Sequence, residues 1–423
     1  MDSAGWQAAL EQAQSTGRLP SIVGGVLREG RLCWTGTAGD VADVDQQYRI
    51  GSITKTLTAV LVLQCRDDGL LGLDDPLGQF LPETGYADAT LRELLSHTSG
   101  MQAEPAGPWW ERSPGVSVAD LLAANDGTGR VLEPGTAYHY SNLGFALLGE
   151  VASRARGTDW WSLVQERLLT PLGMTRTSYH PAPPHAQGSS VDHFAGTRHD
   201  EPHADTVAMA PAGQLWSTVG DLAAWLGFLA SGDDRVLADE TIAEMCVPTT
   251  PARGRLEEHY GLGLRLLRGP SGAFLVGHTG SMPGFLATAF VDPHSRDGVI
   301  ALTNATTGVA TDQLALDLLG ASAPGEPVDP WMPSVDVPAR VSELLGLWFW
   351  GNTALELRWH NGLLESRTLA PPDLSDRYAV TPDRIVGVEG YHLGETLHVH
   401  RDADGSVSHL ECATFVYTRH PIR

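Results

Sequence analysis

The chain has 423 residues, of which 42% are hydrophobic and 19% charged, and its 28 basic and 51 acidic side chains give a net charge of −23. This is the composition of an ordinary globular protein, long enough for two or three domains with buried cores, and it excludes a disordered chain. Because the net charge is strongly negative, we expect neither a nucleic acid nor an anionic membrane as a partner.

Three features predict a cytoplasmic protein. No apolar run approaches the roughly 20 residues that a membrane-spanning helix needs. The first residues, MDSAGWQAALEQAQ, lack the basic and apolar regions of an export signal. The cysteines lie far apart and form no Cys-x-x-Cys pair, which predicts reduced thiols rather than a disulfide framework or a zinc site; they are Cys33, Cys65, Cys246 and Cys412.

The first three quarters of the chain predict a mixed α/β domain. Residues 21–39 form two apolar runs around Glu29-Gly30, which predicts a hairpin, and a helix is predicted from Ser52 to Asp68. Further helices are predicted near 118–125, 142–155, 160–169, 218–231 and 309–319. Short strands return between 261 and 305. Strands at both ends with helices between them predict one antiparallel sheet with helices packed on it.

The last part of the chain predicts a second, smaller domain. Five prolines between Ala323 and Pro338 indicate a stiff linker, and beyond them short apolar strands alternate with Asn361-Gly362 and Asp404-Gly405 turns. About 85 residues of antiparallel strands are typical of a small barrel. We therefore predict one domain over residues 1–322, a linker over 323–338 and a β-barrel over 339–423.

One lysine stands out, because Lys55 is the only lysine among the 28 basic residues. An amine can lose its proton and act as a base, whereas a guanidinium cannot. In Ser52-Ile53-Thr54-Lys55 the three-residue spacing places the serine and the lysine on one helical face, at a helix amino terminus that favours negative charge. If burial lowers the pKa of the lysine, its amine can take the serine proton.

Two later segments carry polar groups that suit the same chemistry. Tyr140-Ser141-Asn142 precedes a predicted helix; a phenol beside a cation can share its proton, and the Asn142 amide can bind a carbonyl or an amide. By itself this tripeptide favours a structural role, as a buried tyrosine followed by a helix N-cap. Gly277-His278-Thr279-Gly280 ends a predicted strand, where Gly280 permits close approach to the backbone and a strand N–H can face a carbonyl oxygen.

Taken in order, six segments resemble the serine β-lactamase and penicillin-binding-protein superfamily, especially its class C-like esterases and D-aminopeptidases. They are YRIGSITKTLTA, LDDPL, LRELLSHTSGM, YSNLGFALLGEV, LWSTVGDLAAWL and GHTGSMPGF. The resemblance covers roughly residues 20–320 and implies a β-lactamase/transpeptidase-like fold. It also implies that Ser52 is the acylated nucleophile, Lys55 its base and Tyr140 the proton shuttle to the leaving group. Backbone N–H groups of Ser52 and of the strand after Gly280 would form the oxyanion hole.

His278 stands where many relatives have the lysine of a Lys-Thr-Gly motif. The change removes the cation that meets the carboxylate of a β-lactam, so efficient antibiotic hydrolysis is not expected. No Gly-x-Ser-x-Gly elbow occurs in the sequence, which disfavours an α/β-hydrolase.

The predicted barrel narrows the resemblance to the stand-alone penicillin-binding-protein-type thioesterases, which carry a lipocalin-like domain and cyclise nonribosomal peptides. This implies a peptidyl thioester on a carrier protein as the substrate, and an acyl-enzyme that the peptide's own amine resolves as a macrolactam. The resemblance implies that Trp216 forms an aromatic wall of the substrate pocket. It also implies that Arg419 binds a carboxylate or carbonyl group of the substrate.

Two other functions stay open at this point. The same residues could serve a hydrolase for small esters or amides of D-residues, or the chain could be a silent binding module that uses its barrel. We expect neither a cofactor nor a metal ion, because the histidines between 180 and 203 lack a regular spacing and a matching ligand set. His398 and His400 alternate along a predicted strand as a surface pair.

Overall fold

The computed structural model describes residues 3–41, 43–249, 259–321, 325–370 and 375–421. The chain divides into two compact units: Met1–Ser189 with Asp200–Pro330, and Ser190–His199 with Trp331–Arg423. Residues 322–324, where the first domain is predicted to end and the linker to begin, lie outside the described residues.

The helices of the described chain include those that the sequence predicts, with bounds that agree to within a few residues. They are α1 Ser3–Thr16, α2 Thr54–Asp67, α3 Leu91–Leu95, α4 Val118–Ala124, α5 Asn142–Arg156, α6 Trp160–Val164, α7 Thr170–Leu172, α8 Ala210–Gly213, α9 Val219–Ser231, α10 Asp239–Met245, α11 Thr311–Gly320 and α12 Ala339–Ser342. A 3₁₀ turn, Gly51–Ile53, leads directly into α2. Ser52 therefore lies in the turn that begins the predicted helix.

Most strands of the first unit form one antiparallel sheet, as predicted. The strands that precede the barrel are, in chain order, β1 Ser21–Arg28, β2 Arg31–Gly39, β3 Tyr48–Arg49, β4 Ser189–Val191, β5 Arg198–Asp200, β6 Trp216–Ser217, β7 His259–Tyr260, β8 Arg265–Arg268, β9 Phe274–Met282, β10 Phe285–Val291 and β11 Gly298–Thr303. Two short pairs, β3 with β6 and β4 with β5, are separate from the main sheet, and β4 and β5 lie mostly in the second unit. In the described residues the main sheet has the order β2-β1-β11-β10-β9-β8-β7. The pairing of β1 with β11 joins the first and last parts of this region, which confirms the predicted fold class.

Both faces of this sheet are covered, because its strands alternate side chains between two apolar clusters. Val23 and Ile300 face a cluster that includes α2, α5 and α9, whereas Ile22 and Val299 face a second cluster that includes α1 and α11. Helix α2 is buried from Thr54 to Cys65, so its amino-terminal turn is held firmly within the unit.

The second unit contains the predicted antiparallel barrel. Its strands are β12 Gly346–Trp350, β13 Thr353–His360, β14 Leu363–Thr368, β15 Ser375–Val380, β16 Ile385–Glu389, β17 Thr396–Arg401, β18 Val407–Cys412 and β19 Phe415–Thr418. In the described residues these eight strands pair in chain order, and β12 closes the barrel against β19. Asn361 and Gly362 both have left-handed φ, at 50° and 78°, as the predicted Asn-Gly hairpin turn requires. Trp348, Tyr378 and Leu410 belong to its core.

Within the described residues, none of the helices combines the length and the apolar character that a membrane crossing requires.

Candidate active site

Ser52 and Lys55 are in direct contact. Lys55 Nζ lies 2.8 Å from Ser52 Oγ and donates a hydrogen bond to the Ala212 carbonyl at 2.6 Å. The carbonyl belongs to α8 and fixes one N–H of the amine, which leaves the nitrogen lone pair of a neutral amine free to point at Oγ. The arrangement can deprotonate the serine.

Burial makes Lys55 a base near neutral pH. Its side chain is 0% exposed, and burial lowers its pKa to about 7, although the negative charges of Glu104 and Glu111 raise it in part. Desolvation outweighs the two carboxylates because the ammonium is fully removed from water. Near pH 7 about half of the Lys55 side chains are therefore neutral and able to accept the Ser52 proton.

Tyr140 lies on the other side of the serine. Its hydroxyl shares a hydrogen bond with Ser52, and burial raises its pKa, so the phenol keeps its proton at neutral pH. Lys55 Nζ lies 5.1 Å from the centre of the Tyr140 ring. A protonated phenol between a serine and an amine can pass a proton to a departing group.

His97 supports Tyr140 from behind. Its ring packs on the Tyr140 ring with centroids 4.2 Å apart, and its Nδ1 accepts the Ser141 N–H at 3.0 Å. Because Nδ1 is an acceptor, the ring proton is on Nε2, and burial keeps the pKa of His97 well below its usual value. His97 is neutral and positions the tyrosine; it does not touch Ser52.

His278 is also neutral. Its Nδ1 donates to the Thr279 carbonyl, so Nε2 accepts the Tyr260 hydroxyl at 3.1 Å. Burial lowers its pKa to about 3, and the charge of Lys55 acts in the same direction. The imidazole therefore brings no positive charge to the position where many relatives have lysine, in line with the expectation from the sequence.

Gly51 and Gly280 let the serine turn lie directly on strand β9. A methyl group on Gly280 would be 1.9 Å from the Ile50 carbonyl oxygen, and one on Gly51 would be 2.6 Å from the Ser281 nitrogen. Gly51 also has a left-handed φ of 52°. The two glycines therefore allow close contact between the backbone of the serine turn and the backbone of β9 at Ser281. The Ser52 N–H lies in a first helical turn and has no intrahelical acceptor. The N–H groups of Ser52 and Ser281 are the candidates to bind a developing oxyanion.

A cavity of about 310 Å³ opens in front of Ser52. It is lined by Ser52, Tyr138, Tyr140, Arg265, His278, Thr279, Gly280, Ser281, Leu286 and Thr311. Arg265 is a cation that the sequence analysis missed; it forms a bidentate ion pair with Asp312, with contacts of 2.7 and 2.6 Å, and also donates to Thr279 Oγ1. Arg265 lies between the buried Leu264 and Leu266 in the chain, and this local alternation is the signal that could have placed it on the face opposite to the leucines.

Asn142 connects the site to the loop after Met101. Its Nδ2 donates to Glu104 at 2.7 Å, and the second Glu104 oxygen accepts the Trp110 indole N–H at 2.7 Å. Asn142 Oδ1 is buried and lacks a hydrogen-bond partner among the described residues. Asn142 is not among the residues that line the cavity, so its expected contact with a substrate remains a prediction.

Trp216 lies outside the lining of this cavity. It is 1% exposed, and its ring packs against His203 and Phe285 at centroid distances of 4.8 and 5.1 Å. A side chain with so little exposed surface cannot contact a substrate in this structure. Its expected role in the pocket has no support from its placement.

Arg419 belongs to the barrel unit, where it binds backbone carbonyls. It donates to the carbonyls of Glu343, Leu345 and Leu347 at 2.8 to 3.2 Å and stacks over the Trp348 ring at 4.0 Å. Burial lowers the pKa of the guanidinium. These contacts give Arg419 a structural role in the barrel, while its expected role toward a substrate remains a prediction.

Family models match both parts of the chain. The beta-lactamase family model matches residues 6–322, and a domain of unknown function, DUF7586, matches residues 337–419. The D-alanyl-D-alanine-carboxypeptidase/endopeptidase AmpH of Escherichia coli K12 is 30% identical over 207 residues, which are 45% of this chain and 50% of AmpH. The chain thus spans about half the length of the first curated relatives that it matches.

Solved structures share the fold. The D-stereospecific amidohydrolase from a Streptomyces species is 29% identical, with a TM-score of 0.65, over 76% of this chain and 100% of its own. The crystal structure of SurE is 26% identical, with a TM-score of 0.63, and the match covers 99% of both chains. The SurE match therefore extends over both units.

We expect the rate at which a fluorophosphonate probe labels Ser52 to rise with pH. Below a midpoint near pH 7 the rate should increase about tenfold per pH unit, and above the midpoint it should be constant. The reason is that only the neutral Lys55 amine can take the serine proton. Because the charge of Glu111 raises the Lys55 pKa, Glu111→Gln should move the midpoint to lower pH. Glu240→Gln, an exposed change on α10, is the control and should leave it in place. A rate independent of pH between 5 and 9 would contradict the assignment.

Arg419→Ala should destabilise the barrel by about 2 kcal/mol or more, since it removes hydrogen bonds from a charged donor and a cation–π contact. Hydrogen exchange of β12 and β19 followed by mass spectrometry measures the effect, with the exposed Arg384→Ala as the control. Unchanged exchange together with a raised KM for a peptide substrate would instead favour a role in substrate binding.

Proposed function

Because the chain belongs to the beta-lactamase family, we propose that it is a serine acyltransferase that releases a peptide from a carrier-protein thioester and closes it head to tail. At the coarser level it is a serine hydrolase of the beta-lactamase-like group. The observation that carries the proposal is the buried Lys55 amine, 2.8 Å from Ser52 Oγ, with a pKa lowered to about 7 by burial.

Acylation follows from the positions of three side chains. Ser52 Oγ attacks the thioester carbonyl while its proton moves to Lys55 Nζ. The carbonyl oxygen becomes an oxyanion that the N–H groups of Ser52 and Ser281 stabilise. When the carbon–sulfur bond breaks, the Tyr140 hydroxyl gives its proton to the thiolate and is reprotonated from Lys55, so a free thiol and a neutral Lys55 remain.

Deacylation by an amine runs through the same groups in reverse. The amine at the far end of the bound peptide attacks the ester carbonyl, the new C–N bond forms, and the C–O bond to Ser52 breaks. One proton of the amine passes through Tyr140 or Lys55 to Ser52 Oγ, which restores the free serine. The product is a macrolactam. Water in place of the amine gives the linear acid.

The nature of the acyl donor rests on the relatives. D-stereospecific amidohydrolase and SurE, whose structure has also been determined with D-Leu, support a substrate with a D-residue at the acylated position. The match to SurE over both units supports an enzyme that uses a catalytic unit and a barrel together. His278 lines the cavity, and we expect it to shape the polar side of the acyl pocket together with Asn142 behind it.

Hydrolysis of small esters or amides of D-residues is the second candidate. It is favoured by AmpH, a D-alanyl-D-alanine-carboxypeptidase/endopeptidase, and by the amidohydrolase, whose match covers 76% of this chain. The two functions share the acylation step and differ only in whether an amine or water takes the acyl group.

The test is mass spectrometry of the products from linear peptide N-acetylcysteamine thioesters that end in a D-residue and carry a free amine. We expect loss of the thiol with formation of a ring, because the tethered amine competes with water at a high effective concentration. Ser52→Ala should abolish both release and labelling by an acylating probe.

Each result decides between the candidates. Linear acid from every peptide, with Ser52 required, would replace cyclisation by hydrolysis. Turnover that persists in Ser52→Ala would overturn both functions, and so would nearly normal activity in Lys55→Arg, since a guanidinium does not act as the base.

A further inference from the structure

The ion pair between Arg265 and Asp312 lies beside the reacting serine and has no role in the steps described above. Arg265 is on β8 and lines the cavity in front of Ser52, whereas Asp312 is in the first turn of α11. The guanidinium Nη1 is 2.7 Å from Asp312 Oδ1, and Nη2 is 2.6 Å from Asp312 Oδ2. Two parallel hydrogen bonds of this kind fix both the position and the plane of an arginine.

A third contact ties the same arginine to strand β9. Nη1 also donates a hydrogen bond to Thr279 Oγ1 at 3.2 Å, so two of the three guanidinium nitrogens are engaged before a substrate binds. The side chains of Arg265 and Asp312 are 27% and 35% exposed, and partial burial strengthens their attraction relative to water. A ligand close to the guanidinium is therefore also exposed to the negative charge of Asp312.

The cavity has no net positive charge to offer to an anion. Among the described residues that line it, Arg265 is the one that carries a formal charge at neutral pH. His278 is neutral, because burial lowers its pKa to about 3. Asp312 cancels the charge of Arg265, so a carboxylate on a ligand would be close to a second carboxylate as well as to the cation.

The ion pair lies on the side of the cavity where the leaving group departs. Tyr140 gives its proton to the leaving group, and its ring centroid is 6.1 Å from that of His278. The next residue, Thr279, accepts the hydrogen bond of Arg265. Burial raises the pKa of Tyr140, and the charge of Arg265 opposes this effect in part, which also indicates that the two groups are near each other. A charge on the leaving group would thus be near the ion pair.

We propose that Asp312 determines which leaving groups the cavity accepts. By holding Arg265, it favours acyl donors with a neutral leaving group, such as a thiol that bears an amide, over donors whose leaving group carries a carboxylate. Asp312 acts through Arg265 and through its own charge, and does not touch the reacting atoms. The inference rests on the acylation of Ser52 in the proposed function, and it applies to cyclisation and hydrolysis alike because both begin with that step.

The test compares two thioesters of the same N-acetyl-D-alanyl group with the full chain as the enzyme. The leaving group is mercaptopropionate, which has a free carboxylate, in one thioester and the neutral mercaptopropionamide in the other. Thiol release, followed with a chromogenic disulfide, gives kcat/KM for each, and this constant reports acylation. After correction for the rates of cleavage by hydroxide, we expect the wild-type protein to favour the amide by about tenfold or more, because like charges repel.

Asp312→Asn should shift this preference toward the carboxylate by about tenfold or more, since an amide keeps the shape of the side chain without its charge. Asp312→Ala should shift it in the same direction, and the shift should vanish when Arg265→Gln is combined with Asp312→Asn. Asp317→Asn is the matched control, because it removes one negative charge from an exposed position on the same helix. It should change the ratio less than about threefold. Circular dichroism checks that each variant is folded.

The outcomes separate this inference from the function on which it rests. Equal kcat/KM for the two thioesters in the wild type, or the same ratio in Asp312→Asn and Asp317→Asn, would overturn the inference while acylation of Ser52 stands. A shift that persists without Arg265 would overturn it too. If neither thioester releases thiol in a reaction that requires Ser52, the proposed function is contradicted, and this inference with it.

Discussion

The removal of one amine from water is the constraint on which the site depends. Lys55 is the only lysine in the chain, and it is fully buried. Among the described residues its amine is hydrogen-bonded to Ser52 Oγ and to the Ala212 carbonyl. An ammonium in that position is unfavourable, so the group loses its proton close to neutral pH. Helix α2 holds the amine in the interior, because the helix is buried along most of its length and Lys55 lies in its first turn.

The rest of the site is arranged around that amine by close backbone packing. Glycines at positions 51 and 280 let the serine turn lie on β9 with close backbone contact. Tyr140, His97 and His278 form a layer of neutral aromatic rings near the amine. Neutral rings exclude water and add no negative charge that would raise the pKa of Lys55. A cation at 278 would lower it further and repel the ammonium.

Much of this could be predicted from the sequence, because the informative groups are close together in the chain. Ser52 and Lys55 are one helical turn apart, and the hairpin turns of the barrel are marked by Asn-Gly and Asp-Gly. The Ala212 carbonyl and the Arg265–Asp312 pair could not be predicted, since they depend on contacts between distant segments. Trp216 packs against His203 and Phe285, contacts between distant segments that the sequence does not reveal, and its expected role as a wall of the pocket stays a prediction. Arg419 binds carbonyls whose positions only the closed barrel determines.

The single lysine also permits the most direct measurement of the central claim. Incorporation of ¹³Cε-labelled lysine gives one side-chain resonance, whose chemical shift can be followed from pH 5 to pH 11 in the intact protein. The account predicts a titration midpoint near 7, moved to higher pH when a serine-directed inhibitor places negative charge beside the amine. A midpoint close to the ordinary lysine value of about 10.4 would contradict it, because Lys55 would then be an ammonium at neutral pH and could not take the proton of Ser52.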